Sequence, residues 1–275
     1  MHIRDKVIVI TGGANGIGLA LARRFKQAGA KHITVADLDG DKVQAAAKEL
    51  VGSSTTTLGI KCDVAREEDI RNVVAQTEKA AGPIDLFCSN AGIAVSDPDF
   101  ENAASAPDAV WDKNWRIHVM AHVYAARALL PGMIARKQGY FLNTVSAAGL
   151  LNQIGSATYS ATKHAAIGFA EHLAITHKDH GVKVSVLCPQ AVRTAMLGDS
   201  ENDAGKSAAV DGVLTPEQVA EAVMQGLEKE SFLILPHPQV AQYILKKAGE
   251  YDRWIGGMAK LRRTMLPQMH RFASK

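Results

Sequence analysis

Short runs of aliphatic and β-branched residues alternate with longer amphipathic stretches along this chain, beginning with the run KVIVIT. The short runs are almost continuously hydrophobic, which is typical of strands buried on both faces of a parallel sheet. The longer stretches carry apolar residues at helical spacing, so the alternation predicts a doubly wound α/β fold. The predicted strands span residues 6–11, 32–37, 57–64, 84–92, 139–146, 182–189 and 232–236, and the predicted helices span 16–29, 40–50, 66–81, 111–136, 159–178 and 216–229.

Two polar stretches interrupt this alternation, at residues 96–109 and 195–215, and both are typical of loops. No internal repeat or low-complexity tract divides the chain, so residues 1–275 are predicted to form one domain. Residues 239–275 add a basic amphipathic helical extension after the last strand. We expect this extension to pack over the mouth of a binding site or against a neighbouring subunit, with contact to a membrane surface as the alternative.

The composition excludes several classes of protein. With 31 basic and 28 acidic side chains the net charge is +3, so no nucleic-acid partner is expected. No apolar run approaches the roughly 20 residues of a membrane span, and the N-terminus carries no signal-peptide pattern. We therefore expect a cytoplasmic protein with no membrane span. Cys62, Cys88 and Cys188 are far apart and lie in apolar runs, which predicts reduced core residues and no metal site.

A glycine-rich turn, TGGANGIG, joins the first strand to the first helix. Gly12, Gly16 and Gly18 in this turn permit a tight bend, close approach of a pyrophosphate and packing of the helix on the strand. The second strand ends in Asp37, 19 residues after Gly18, where a carboxylate can accept hydrogen bonds from the adenosine ribose. Because Asp37 would repel a 2′-phosphate, the pattern predicts a Rossmann-type fold that binds NAD.

The helix predicted from residue 159 opens with Tyr159 and Lys163, whose i, i+4 spacing puts a phenol and an ammonium on one face. A phenol with its usual pKa of about 10 is a poor base unless a nearby cation favours the phenolate. Lys163 can supply that cation. Ser146, at the end of the fifth strand, can hold a substrate oxygen by a hydrogen bond during hydride transfer.

These motifs together resemble the short-chain dehydrogenase/reductase family over residues 5–236. The resemblance implies reversible NAD(H)-dependent hydride transfer between an apolar, secondary alcohol and its ketone. In it Tyr159 acts as general acid and base, Lys163 lowers its pKa and Ser146 orients the substrate oxygen. The resemblance rests on TGGANGIG, Asp37, Cys62-Asp63-Val64, Ser89-Asn90-Ala91-Gly92, Asn143-Thr144-Val145-Ser146, Tyr159-Ser160-Ala161-Thr162-Lys163 and Pro189-Gln190-Ala191-Val192-Arg193-Thr194.

The resemblance also implies which residues contact cofactor and substrate. Residues 195–215 would close over an apolar pocket, and the chain would form a homo-oligomer, a tetramer or a dimer. The implied cofactor-binding residues are Gly12, Asn15, Gly16, Ile17, Gly18, Asp37, Asp63, Val64, Asn90, Gly92, Tyr159, Lys163, Pro189, Val192 and Thr194. The expected substrate walls are Ala148, Ile154, Met196 and Leu197, with Ala147, Leu150, Leu151 and Val192 as further candidates.

The chain departs from the family pattern at His118, where the family usually has an Asn that anchors a water in a proton relay. An imidazole binds water through either nitrogen and titrates near neutrality, so His118 is a candidate catalytic residue that would add a pH dependence. A packed structural histidine is the alternative, and Asn114 is the other candidate for the relay. Gln190 replaces a family glycine, and His237 between two prolines is expected to be a turn residue.

Two other functions fit the same fold. A non-catalytic dinucleotide-sensing protein would be expected to lack the Tyr or the Lys, and both are present. A lyase such as a halohydrin dehalogenase would have a remodelled glycine loop and an Arg in place of Lys163. Since the fold alone does not separate these functions, the catalytic side chains favour the oxidoreductase.

Overall fold

The computed structural model of the chain describes residues 1–197 and 209–269, with side chains described as far as residue 265. All seven predicted strands are present and join one parallel sheet in the order β3-β2-β1-β4-β5-β6-β7. The sheet therefore confirms the doubly wound α/β fold. The strands are β1 (Val7–Thr11), β2 (His32–Asp37), β3 (Thr56–Lys61), β4 (Leu86–Ser89), β5 (Gly139–Thr144), β6 (Val182–Leu187) and β7 (Leu233–Ile234).

Helices cover both faces of the sheet. Their bounds are α1 (Gly16–Gln27), α2 (Gly40–Leu50), α3 (Glu67–Ala81), α4 (Asp108–Trp115), α5 (Ala121–Ala135), α6 (Ala157–His177), α7 (Pro216–Lys229), α8 (Gln239–Gly249) and α9 (Tyr251–Met269). Helices α1, α2 and α7 lie on one face, and α3, α5 and α6 lie on the other. This two-sided cover explains why the central strands are hydrophobic at every position.

Successive residues of each central strand enter different cores. In β1, Val7 and Val9 pack with α3, α5 and α6, whereas Ile8 and Ile10 pack with α1, α2 and α7. This follows from the period of two along a strand, which sends neighbouring side chains to opposite faces. The three cysteines are buried and unbonded, as two-sided burial of these runs predicts.

Several predicted elements differ at their ends from the observed ones. The strands predicted to reach residues 64 and 92 stop at Lys61 and Ser89, because the chain leaves the sheet at these residues. Helix α4 begins at residue 108, inside the stretch predicted as a loop. Between α4 and α5 the chain forms a π-helical segment, Arg116–Met120, which has no counterpart in the hydrophobic pattern.

The continuous helical stretch 108–135 is long and apolar enough by composition to cross a membrane, with a mean hydropathy of 1.2 in its most apolar window. Half of that window is buried inside the fold. Leu129 and Met133 of α5 belong to the core beneath the sheet. A core helix of this kind meets the same length and hydropathy criteria as a membrane span, so these criteria do not indicate a span here.

Candidate active site

The glycine turn after β1 forms one end of a cavity at the carboxyl edge of the sheet. Gly12 has a φ of +62°, and a Cβ at this position would lie 2.9 Å from the Cα of Ala91. Only glycine fits this backbone without strain. Gly16 has a φ of +51°, and a Cβ there would lie 3.1 Å from Thr194. The turn therefore packs closely against Ala91 and Thr194, and it lines the cavity together with them.

Asp37, at the end of β2, braces the glycine turn. Its Oδ2 accepts a hydrogen bond from the Ala14 N–H at 3.1 Å, and its Oδ1 accepts a longer one from Asp39 N–H at 3.4 Å. A carboxylate has about four acceptor sites, so capacity remains on the side that lines the cavity. A nearby cation, Lys42, is paired with Asp39 at 2.8 Å.

Asn90, after β4, joins the nucleotide end to the centre of the cavity. Its Nδ2 donates to Thr11 O at 3.1 Å, and its Oδ1 accepts from the Thr144 hydroxyl at 3.1 Å. Thr11 Oγ1 in turn accepts from the backbone N–H groups of Asn90 and Ala91, at 3.0 and 3.2 Å. The Asn90 side chain therefore links the carboxyl ends of β1 and β5 to the segment that follows β4.

Ser146, Tyr159 and Lys163 meet at the centre of the cavity, as the sequence spacing predicts. Ser146 follows β5, while Tyr159 and Lys163 occupy the first two turns of α6. The Lys163 ammonium is 5.4 Å from the centroid of the Tyr159 ring and donates to Thr144 O at 3.4 Å. Lys163 is only 3% exposed, so an ammonium is held in a nearly dry site.

Burial is the largest contribution to the pKa shifts of Tyr159 and Lys163. It raises the pKa of the Tyr159 phenol, and the hydrogen bond with Ser146 acts in the opposite direction. Burial also lowers the pKa of Lys163 to about 8, against which the buried Cys188 thiol acts weakly. The phenol is therefore protonated at neutral pH, and the phenolate needs additional positive charge in the site.

His118 lies in the π-helical segment and is fully buried against Tyr159, with the two rings edge to face at 5.4 Å. Its Nε2 accepts the Ile93 N–H at 3.1 Å, so the neutral ring carries its proton on Nδ1. Nδ1 lies 2.9 Å from Thr162 Oγ1, and the Thr162 hydroxyl donates to Thr158 O at 2.7 Å.

These contacts correct the expectation that His118 titrates near neutrality. Burial, together with the charge of Lys163, lowers the pKa of His118 to about 2, so the ring stays neutral. Both ring nitrogens are used by protein groups rather than being free to hold a water. Asn114, the other relay candidate, donates its amide to Val110 O of its own helix at 2.8 Å.

Two buried residues, Asp97 and His237, make long-range contacts around the site that the sequence did not predict. Asp97 receives the Ala157 N–H on both carboxylate oxygens, at 2.9 and 3.1 Å, and so caps α6 from a distant loop. His237 lies in the bend before α8, as expected of a turn residue, and it is also 2% exposed, with its Nδ1 accepting the Gln190 N–H at 3.2 Å. Neither contact has a local sequence signal, because the partners are 60 and 47 residues apart.

The cavity is continuous from Asp37 to the C-terminal helices, with a volume of about 740 Å³. The residues expected at the cofactor that line it are Gly12, Asn15, Gly16, Ile17, Asp37, Asp63, Val64, Asn90, Gly92, Tyr159, Lys163, Pro189, Val192 and Thr194. Gly18 lies behind the turn, packed against Gly12 and Asn90.

The substrate end of the cavity contains Ala148, Met196 and Leu197, as expected, but not Ile154. Ile154 lies in a turn with Gly155 and is not among the residues that line the cavity. Leu150 also lies outside the lining. The C-terminal helices contribute walls that the sequence did not assign individually: Tyr243, Trp254, Met258 and Leu261.

Comparisons with known proteins identify the family of this chain. The short chain dehydrogenase family profile matches residues 6–205. A curated relative, 1-deoxy-11-beta-hydroxypentalenate dehydrogenase of Streptomyces exfoliatus, is 34% identical over 85% of this chain and 84% of its own.

Solved structures of the same fold carry different cofactors. A short-chain dehydrogenase/reductase from Burkholderia phymatum in complex with NAD superposes with a TM-score of 0.80 at 24% identity, over 92% of this chain and 96% of that one. L-sorbose reductase of Gluconobacter frateurii, complexed with NADPH and L-sorbose, has a TM-score of 0.76 at 27% identity, over 86% and 97%. The family uses a nicotinamide dinucleotide. The chain belongs to the short-chain dehydrogenase family, and it is an oxidoreductase.

Proposed function

We propose that this chain transfers hydride reversibly between an apolar secondary alcohol and its ketone, with NAD(H) as the cofactor. The observation that carries the proposal is the meeting of Ser146, Tyr159 and Lys163 between a glycine cradle and an apolar chamber. A reaction centre there would have the dinucleotide on one side and a hydrocarbon group on the other.

In the alcohol-oxidising direction Tyr159 removes the hydroxyl proton while Ser146 holds the same oxygen by a hydrogen bond. Since burial raises the pKa of Tyr159, the free chain keeps the phenol protonated. The oxidised nicotinamide, when bound, supplies the hydride acceptor and a positive charge. Lys163 adds a second positive charge 5.4 Å from the phenol ring, and the two together favour the phenolate.

His118 is proposed as a positioning residue rather than a proton carrier. Its ring packs edge to face with Tyr159, accepts the Ile93 N–H at one nitrogen and contacts the Thr162 hydroxyl of α6 at the other. With its pKa lowered to about 2, the His118 ring stays neutral near neutral pH and does not act there as a general acid. In the proposed reaction the ring therefore acts through Tyr159.

NAD is proposed over NADP because of Asp37. Its free acceptor capacity faces the cavity where the adenosine ribose would lie, and its charge opposes a 2′-phosphate. The neighbouring residue Leu38 is 64% exposed and carries no charge, and Lys42 is already paired with Asp39. The glycine turn fits the pyrophosphate of the dinucleotide, and the unused acceptor sites of Asp37 fit its adenosine ribose.

An apolar substrate is proposed from the charges in the cavity. Among the described residues that line it, the charged ones are Asp37, Asp63 and Lys163, and the first two lie at the nucleotide end. Among the residues that the structure describes, the chamber beyond Tyr159 thus has no charged lining side chain to neutralise a carboxylate or phosphate. Assembly into a homotetramer or homodimer and a cytoplasmic location stay predictions.

A screen of secondary alcohols with NAD or NADP, followed by absorbance of the reduced nicotinamide, tests the proposal. We expect turnover of aliphatic, alicyclic or aryl secondary alcohols with NAD and little with NADP. The matched control is Tyr159→Phe, which should lower turnover about a thousandfold while NADH binding stays close to wild type. Measurable NADH binding without turnover of any alcohol or ketone would favour the dinucleotide-sensing alternative.

A further inference from the structure

The C-terminal helices form the far wall of the substrate chamber. Tyr243 of α8 and Trp254, Met258 and Leu261 of α9 line the cavity opposite the Tyr159 side. These two helices follow the last strand and pack mainly on each other, so their position over the chamber needs specific contacts to the rest of the fold. The question is which groups hold this wall in place.

Lys247 of α8 provides the most extensive of these contacts. Its ammonium donates to Leu150 O at 2.8 Å and to Leu151 O at 2.9 Å, and it lies 3.2 Å from His164 Nε2. An ammonium has three donors, and all three have acceptors here. Burial lowers the pKa of Lys247, as expected for a charge withdrawn from water between helices.

The orientation of His164 is consistent with this arrangement. Its Nδ1 lies 2.8 Å from Ser160 O, a carbonyl that only accepts, so Nδ1 carries the ring proton. Nε2 is then free to accept from Lys247. A charge-assisted hydrogen bond of this kind is roughly twice as strong as a neutral one.

The three acceptors belong to the two elements that carry the catalytic groups. Leu150 and Leu151 end the short turn that starts at Ser146, and the turn is closed by the Leu151 N–H to Ala147 O bond of 2.8 Å. His164 follows Lys163 directly on α6. Lys247 therefore connects the chamber wall to both the serine turn and the catalytic helix.

The same ammonium orders the aromatic part of the wall. Its Nζ lies 4.9 Å from the centroid of the Trp254 ring and 5.6 Å from that of Tyr251, within the range of cation–π attraction. A second tie lies further along α9, where Arg262 pairs with Glu101 at 3.3 Å. Lys247 therefore both ties α8 to the carbonyls of Leu150 and Leu151 and contacts Trp254, which lines the cavity.

We propose that Lys247 latches α8 and α9 onto the Ser146 turn and α6, and that the wall so held selects substrates whose non-reacting part is a bulky hydrocarbon. The selectivity part rests on the proposed function; the latch itself does not. Trp254, Met258 and Leu261 offer mainly apolar surface and no ionisable group, so burial of hydrocarbon is the main favourable interaction that they provide. A small alcohol would leave this surface uncovered.

Amide hydrogen exchange tests the latch without any substrate. In Lys247→Met, which keeps the aliphatic stem, we expect exchange in residues 239–265 to be about tenfold faster than in wild type. Lys247→Arg should restore part of the protection, because a guanidinium can still donate to the carbonyls. The matched control is Lys260→Met, an exposed lysine on α9, which should not change exchange. Unchanged exchange in Lys247→Met would overturn the latch.

Steady-state kinetics with secondary alcohols of increasing hydrocarbon size test the selection. In Lys247→Met the KM for the largest alcohols should rise about tenfold, with KM for the smallest ones and NADH affinity near wild type. Trp254→Ala, which keeps the Lys247 hydrogen bonds, should shift preference toward still larger alcohols. Equal effects on small and large alcohols would overturn the selection. If wild type oxidises no alcohol, the proposed function fails while the exchange result still decides the latch.

Discussion

His118 Nδ1 and Thr162 Oγ1 lie 2.9 Å apart, and this pair ties the π-helical segment to the catalytic helix α6. The other ring nitrogen accepts the backbone N–H of Ile93, which lines the cavity. The His118 imidazole therefore links the segment after β4, at Ile93, to α6, at Thr162.

His118→Ala should lower stability by about 1–3 kcal/mol, because the Ile93 N–H and the Thr162 hydroxyl lose a buried partner. We expect kcat to fall about tenfold as Tyr159 loses its edge contact, with NADH affinity little changed. Since the pKa of His118 is lowered to about 2, the pH profile between about 5 and 8 should keep its shape. An ionisation in that window that disappears in the variant would show that the ring carries protons.

Asp37→Ser should move cofactor preference toward NADP. Removing the carboxylate takes away its repulsion of a 2′-phosphate. The ratio of kcat/KM for NAD to that for NADP should fall about tenfold or more. Asp41→Ser, an exposed change at the start of α2, serves as the control and should leave the ratio unchanged. A ratio that does not move in Asp37→Ser would remove the basis for the NAD preference.

Asp97→Ala should destabilise the fold through α6. The Asp97 carboxylate accepts the first N–H of this helix on both oxygens and faces its positive end. We expect a loss of about 1–2 kcal/mol in the free energy of unfolding, measured by urea denaturation. Tyr159 lies in the first turn of α6, so kcat should also fall. Asp99→Ala, in the same loop but exposed, loses only the hydrogen bond from Glu101 N–H at 2.9 Å and should change both quantities much less. Matching losses in both variants would argue against capping by Asp97.

The buried histidines should make the protein sensitive to acid. Burial lowers the pKa of His122 to about 3 and that of His118 to about 2, so the unfolded chain binds protons that the folded one rejects. Stability is then complete above the unfolded value of about 6.5 and falls as the pH drops below it, by up to about 1.4 kcal/mol per pH unit for each group.

His122→Gln should reduce this slope between about pH 6 and 4 by close to one proton. The exposed His172→Gln provides the control and should leave the slope unchanged. The measurement is the free energy of unfolding against pH in urea. An identical slope in wild type and His122→Gln would mean that His122 is protonated in the folded state.

The sequence by itself determined the fold and the main reaction groups, because both are encoded locally. Strand runs buried on two faces must be hydrophobic throughout, so the order of elements was readable. The glycine turn is a short contiguous motif, and Tyr159 and Lys163 share a helix face by spacing alone. The ends of the strands and the π-helical segment were not predicted, because the local hydrophobic pattern does not encode them.

Only the tertiary structure decided how these groups are held and how they titrate. Asp97 meets Ala157 from 60 residues away, His237 meets Gln190 from 47, and Lys247 reaches Leu150 from 97, with no periodic signal between partners. The pKa of His118 likewise depends on residues that are distant in the sequence. A histidine has a neutral-range pKa in water, and its burial beside a lysine, which no sequence pattern encodes, moved that pKa to about 2.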